Sequence, residues 1–138
     1  MKRLFLIPLC LILLACNSGC STTKVDPTTG ATVQLTGIEQ AQNAATTSVL
    51  VLGQAVLSAK PMLQKARAAG YLTKEQFNNS VDIYNQALAS YTLLNKALQA
   101  AISAGQDPST VAGYTVALAK FATDKQVLDN ITVALGVK

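Results

Sequence analysis

The side chains of this 138-residue chain that could carry a proton, attack a carbonyl or hold a metal are few. It contains no His, which removes the commonest general base and the commonest zinc ligand. Beyond residue 35 the carboxylates are Glu39, Glu75, Asp82, Asp107, Asp124 and Asp129, and no two stand three or four positions apart. No single helix face therefore presents a carboxylate pair for acid–base work or for a metal cage. Ser21-Thr22-Thr23-Lys24 has the letters of the S-x-x-K serine nucleophile pattern, but it lies in a Ser/Thr-rich stretch without that pattern's companion motifs. There is no C-x-x-C pair, no glycine-rich phosphate loop and no nucleophile elbow. These features lead to the expectation that the protein is not an enzyme and has no metal site, cofactor or small-molecule substrate.

Cys10, Cys16 and Cys20 are the remaining reactive groups. All three fall in or just after an N-terminal segment in which basic Lys2 and Arg3 precede the apolar run Leu4 to Leu14. A membrane-spanning helix needs about 17 to 25 apolar residues, so this shorter run has the length of a secretory signal rather than of an anchor. The run ends in Leu13-Leu14-Ala15-Cys16, and here the chain resembles bacterial lipoproteins. Their lipobox sets an aliphatic residue, a tolerant position and a small residue before Cys. The resemblance implies cleavage after Ala15, a diacylglyceryl group on the Cys16 thiol and acylation of the new amine. Cys20 is the alternative acceptor, preceded by small Gly19 and Ser18 but with Asn17 where an aliphatic residue belongs. Lipidation at Cys16 leaves Cys20 as an odd thiol in an oxidising compartment, whereas lipidation at Cys20 leaves none. Cys10 reads as a small hydrophobe inside the discarded segment. In Gram-negative lipoproteins a residue other than Asp after the acylated Cys favours the outer membrane. Asn17 therefore implies an outer-membrane lipoprotein, most simply one facing the periplasm.

The formal charge of +4 falls to +2 once Lys2 and Arg3 leave with the signal. The nearest thing to a basic patch is Lys60, Lys65, Arg67 and Lys74. Most of these stand where a first helix should end and complement its dipole, so no nucleic-acid partner is expected.

Three domains of organisation follow: a signal peptide over 1–15, a lipidated Cys with a flexible tether over 16–35, and a helical domain over 36–138. Residues 17–35 are rich in Ser, Thr and Gly and lack a helical apolar stripe. The remainder predicts an all-α fold, an antiparallel three-helix bundle with helices at about 37–69, 74–103 and 108–135. Thr36-Gly37-Ile38-Glu39 and Thr73-Lys74-Glu75-Gln76 have capping-box spacing, and Gly70 and Gly105 are natural stops. Asp107-Pro108 has the form of a cap followed by proline in the first turn. Apolar residues recur every three or four positions from Ile38 to Ala66, from Phe77 to Ile102 and from Val111 to Leu135. Pro61 predicts a kink or break near 57–61. Strand is a competing reading only at Thr47 to Leu52. Tyr84, Tyr91 and Tyr114 fall on the stripes as packing residues, and Asn95 falls at a stripe edge.

Val49 to Leu57 is apolar almost all the way round a helix. One stripe per helix satisfies a bundle, so Leu50, Val51 and Leu57 belong either to an exposed interaction surface or to a deeper core made by a bend at Pro61 or a folded-back tether. Gly53 would let another backbone approach closely. Leu50, Val51, Gly53 and Leu57 are accordingly the candidate interaction residues. The expected function is that of a membrane-anchored, noncatalytic lipoprotein whose bundle binds an envelope protein, or itself. The alternative is an exclusion, immunity or lysis-accessory lipoprotein encoded by a phage or prophage, a class that shares this layout.

Overall fold

The computed structural model describes residues 23–135, so Cys10, Cys16, Cys20 and the signal sequence lie outside the described residues. Three long helices account for most of the rest: α1 (Gly37–Ala68), α2 (Lys74–Ser103) and α3 (Ala112–Ala134). The fold is the all-α three-helix bundle that the periodicity predicts. Both capping boxes are formed. Thr36 Oγ1 accepts from the Glu39 amide while the Glu39 carboxylate accepts from the Thr36 amide, and Thr73 and Gln76 repeat the exchange at the start of α2. Gly70 and Gly105 take the left-handed conformation just past the ends of α1 and α2, with φ of 79° and 65°.

The core follows the stripes. Val49, Val56 and Leu63 of α1, Tyr84, Leu94 and Leu98 of α2, and Tyr114, Phe121 and Leu128 of α3 are buried in one cluster. Each such aliphatic or aromatic side chain contributes about 1.5–3 kcal/mol when fully buried. Small residues let the helices approach: Ala59, Ala66, Ala87 and Ala101 are buried too, along with Ser80 and Ser90. The two serine hydroxyls donate to Gln76 O at 2.8 Å and Ala87 O at 3.0 Å within their own helix, and Ser90 also stands close enough to Asp124 of α3 to help lower its carboxyl. Central α2 packs along both neighbours, whereas α1 and α3 meet one another far less. Much of the circumference of α1 is left to solvent.

The sequence expectations need correction at four places. Residues Thr23–Val25 (β1) and Thr32–Gln34 (β2) pair as an antiparallel hairpin where the sequence reads as an unstructured tether. Its turn explains it: Asp26 Oδ1 accepts from the Thr28 and Thr29 amides at 2.7 and 3.3 Å, Pro27 presets the bend, and Gly30 at φ 69° donates to Asp26 O at 2.8 Å. A lone hairpin is marginal, and this one is fastened to the start of α1 by the ion pair Lys24–Glu39, with Leu35 buried at the junction. At Pro61, α1 runs on without interruption; the side chain faces solvent, where water can satisfy the carbonyl that its missing amide frees. Asp107 does not cap the third helix. Its carboxylate accepts from the Ser109 amide and hydroxyl to close a 3-10 turn (Pro108–Thr110), and α3 starts only at Ala112, behind an uncapped Val111. Thr47 to Leu52 is helical, as the predicted first helix has it, and not strand. Ile38 and Ala55, assigned to the inner stripe of α1, are exposed.

Candidate binding surface

The structure separates the four candidate interaction residues. Leu50, Val51 and Leu57 are 58%, 60% and 54% exposed, so neither a bend at Pro61 nor the described residues 23–36 that precede α1 cover them. Leu50 and Leu57 stand seven residues apart and lie along one line of the helix, whereas Val51 lies about 100° round from Leu50. Gly53 faces inward. A Cβ built on it would fall 2.7 Å from Tyr91 Cε2 and closer still to Cζ and Oη, so the close approach that this glycine permits belongs to the protein's own α2. The Tyr91 ring also packs against Phe121 of α3, at 5.9 Å between centroids and 58° between planes.

Around Leu50 and Leu57 the exposed row continues through Asn43, Gln54, Pro61 and Gln64. It bears no charge from residue 40 to residue 59. Charges stand only at its two ends, with Glu39 at the N-terminal end and Lys60, Lys65 and Arg67 at the C-terminal end. Arg67 is committed locally: its Nη1 donates to Leu72 O at 2.7 Å across the α1–α2 turn.

A second apolar surface, along the seam of α2 and α3, escaped the sequence reading. Leu93, Val116 and Val127 are 53%, 69% and 45% exposed. Leu93 and Val116 flank an open groove of about 270 Å³ floored by Ser90, Ala97, Gly113 and Ala117. Further along the seam a wider depression of about 600 Å³ is lined by Tyr71, Ile83, Val127, Ile131 and Leu135, with Asn79 and Asn130 supplying polar atoms. Leu93 and Val116 sit beside the stripes of their helices. Only the pairing of α2 with α3 brings them together, and that pairing is not written in either helix alone.

Several titratable groups are spent on structure. Glu39 is held at a pKa of about 2, first by the hydrogen bond from Lys24 and then by those from the Thr36 amide and hydroxyl. The Asp26 carboxyl lies below its ordinary value because it accepts the hairpin amides of Thr28 and Thr29. Lys120, 2.8 Å away, lowers Asp124. Lys125 pairs with Asp129 at 2.5 Å, and burial raises the Tyr114 hydroxyl. Lys24, the last letter of the S-x-x-K pattern, is occupied by Glu39. Asn95 is exposed and sets no interhelical contact in the core; Tyr84 and Tyr114 are buried, and Tyr91 is half-buried. Among the described residues no group of three or more His, Cys, Asp or Glu side chains could hold a metal ion, and no helix is long and apolar enough to cross a membrane.

No known protein family, curated protein or solved structure matches the chain.

Proposed function

We propose that this protein is a lipid-anchored, noncatalytic binding module of the bacterial envelope, held by acylated Cys16 at the periplasmic face of the outer membrane and engaging an envelope protein through its helical bundle. The observation that carries this reading is the exposure of Leu50 and Leu57. The bundle leaves two of its largest aliphatic side chains more than half in water, on one line of α1 and with no charge between them. Lipidation supports the reading energetically. Two or more acyl chains hold a protein at the membrane where one is marginal, at about 0.8 kcal/mol per buried methylene. Confinement to one surface raises the local concentration of module and partner, so that a modest interface suffices.

A photo-reactive amino acid at Leu50, in the full chain in its host, tests the binding face. An adduct with an envelope protein, or with this chain, is expected; its absence refutes the reading. Mass spectrometry of the detergent-extracted protein tests the anchor. The mature chain should begin at an acylated Cys16, with acylation lost in Cys16→Ser, and an unacylated chain beginning at Met1 refutes it.

A further inference from the structure

We infer that the row on α1 is the seat of a second copy of this chain, paired antiparallel about a two-fold axis that passes between Leu50 and Leu57. The inference rests on the reading of this face as a binding surface and names its occupant.

Three features select that occupant. The first is spacing. Asn43, Leu50, Gln54, Leu57, Pro61 and Gln64 recur at intervals of seven, four, three, four and three, the repeat of a helix–helix seam, and all six are exposed. The two leucines are equidistant from the midpoint of residues 53 and 54. A two-fold axis there sets Leu50 against Leu57 of the second copy twice over, and brings the two Gln54 amides together, each able to donate and accept.

The second feature is charge. Glu39 stands at one end of the row and Lys60 and Lys65 at the other, with nothing ionised between residues 40 and 59. A parallel pair would set Glu39 against Glu39 and Lys65 against Lys65. The antiparallel pair sets residue 39 opposite residue 68 of the second copy, so that Lys65 of each copy faces the Lys24–Glu39 ion pair of the other rather than a second Lys65, and it also opposes the helix dipoles favourably. The uncharged middle lets two chains of the same net positive charge meet there without like charges in contact.

The third feature is size. The stretch from Glu39 to Ala68 is about 45 Å long at 1.5 Å per residue. A single pair of helices in contact over that length lies at the small end of specific interfaces. Such a surface suits a protein concentrated on a membrane better than a partner captured from dilute solution.

The test uses the full lipidated chain in the host envelope, with Cys20→Ser as background and single cysteines introduced at Gln54 or at Leu50. Oxidation should give a covalent dimer for Gln54→Cys, which lies beside the axis. It should give none for Leu50→Cys, whose equivalent in the second copy is seven residues, about 10 Å, further along. Adding Leu50→Lys and Leu57→Lys should abolish the Gln54→Cys dimer while leaving the helical circular dichroism unchanged. A dimer from Leu50→Cys would overturn the antiparallel arrangement. No dimer from Gln54→Cys, together with a Leu50 photo-adduct to a different envelope protein alone, would overturn self-pairing and leave the binding module standing. No intermolecular adduct of any kind would overturn both.

Discussion

The contact between Gly53 and Tyr91 allows a prediction in which two effects of known size compete. Replacing Gly53 by Ala in the middle of α1 gains about 1 kcal/mol of helix propensity. The new methyl group, however, would enter space now held by Cε2, Cζ and Oη of Tyr91. Phe121, itself 1% exposed, packs on that ring from α3 and limits how far it can shift. Overpacking of this kind costs about 2 kcal/mol, within a usual range of about 1–3 kcal/mol. The net expectation for Gly53→Ala is a loss of about 1 kcal/mol, or about 4 °C in the melting temperature of a domain of this size. In a Tyr91→Ala background the obstruction is gone, and the same substitution should stabilise by up to about 1 kcal/mol. Urea denaturation of the four proteins of this cycle, followed by circular dichroism, measures a coupling energy expected near 2 kcal/mol. If Gly53→Ala stabilises the otherwise unchanged protein, Tyr91 does not rest on Gly53 as described, and Gly53 becomes available to a partner after all.

Leu94, fully buried at the centre of α2, should cost about 2–5 kcal/mol on replacement by Ala, read from the same denaturation midpoint. Leu50→Lys with Leu57→Lys should leave that midpoint within about 0.5 kcal/mol of the starting protein per site, because neither side chain is part of the core. Thr73→Ala removes the acceptor for the Gln76 amide and should cost about 1 kcal/mol, whereas Asp107→Ala should loosen the 3-10 turn without shortening α3, which it does not cap; amide hydrogen exchange separates the two outcomes. The Glu39 carboxyl titrates near 2 in the folded protein against 4.5 ordinarily, so its ion pair contributes stability above about pH 4.5 that is lost as pH falls through about 2. NMR titration should show the hairpin resonances moving in that window, and Lys24→Ala should return the Glu39 pKa toward 4.5.

The parts of this fold that were legible in the sequence are those decided by neighbours along the chain. Two capping boxes, two terminating glycines and three stripes are local patterns, and each fixes an element without reference to the rest. The hairpin also had a local signal, Asp-Pro-Thr-Thr-Gly-Ala between Thr-Lys-Val and Thr-Val-Gln, but the Ser/Thr-rich composition around it masked the turn chemistry. What could not be read locally depends on which helices meet. Leu50, Val51 and Leu57 are exposed because α1 packs chiefly on α2, and Gly53 is covered because the Tyr91 ring arrives from that helix. The groove between Leu93 and Val116 exists only where two particular helices lie side by side. Sequence distinguished an anomalous segment in α1, and packing divided it into an inner glycine and an outer pair of leucines.

The hairpin also changes how an antiparallel pair would sit at the membrane. With acylation at Cys16, the lipid stands seven residues before Thr23, a span of at most about 25 Å. A wholly extended tether reaching to Thr36 would have allowed more than twice that. Because Thr23 pairs with Gln34 and Lys24–Glu39 fastens the hairpin to the first turn of α1, the start of each α1 would lie only a few residues beyond that shorter distance from the lipid. In an antiparallel pair the two starts lie at opposite ends of a seam about 45 Å long. Both lipids can enter one bilayer only if the paired helices lie along its surface rather than stand on it. Lengthening the segment before Thr23 by ten or more Gly and Ser residues should therefore leave the Gln54→Cys dimer intact while releasing the pair from the surface. A proximity label in the headgroup region would then modify both ends of α1 equally in the native protein and neither end strongly in the lengthened one. Strong labelling at the Glu39 end alone in the native protein would mean that α1 stands upright, and would exclude a pair in which the two copies run in opposite directions from the same membrane.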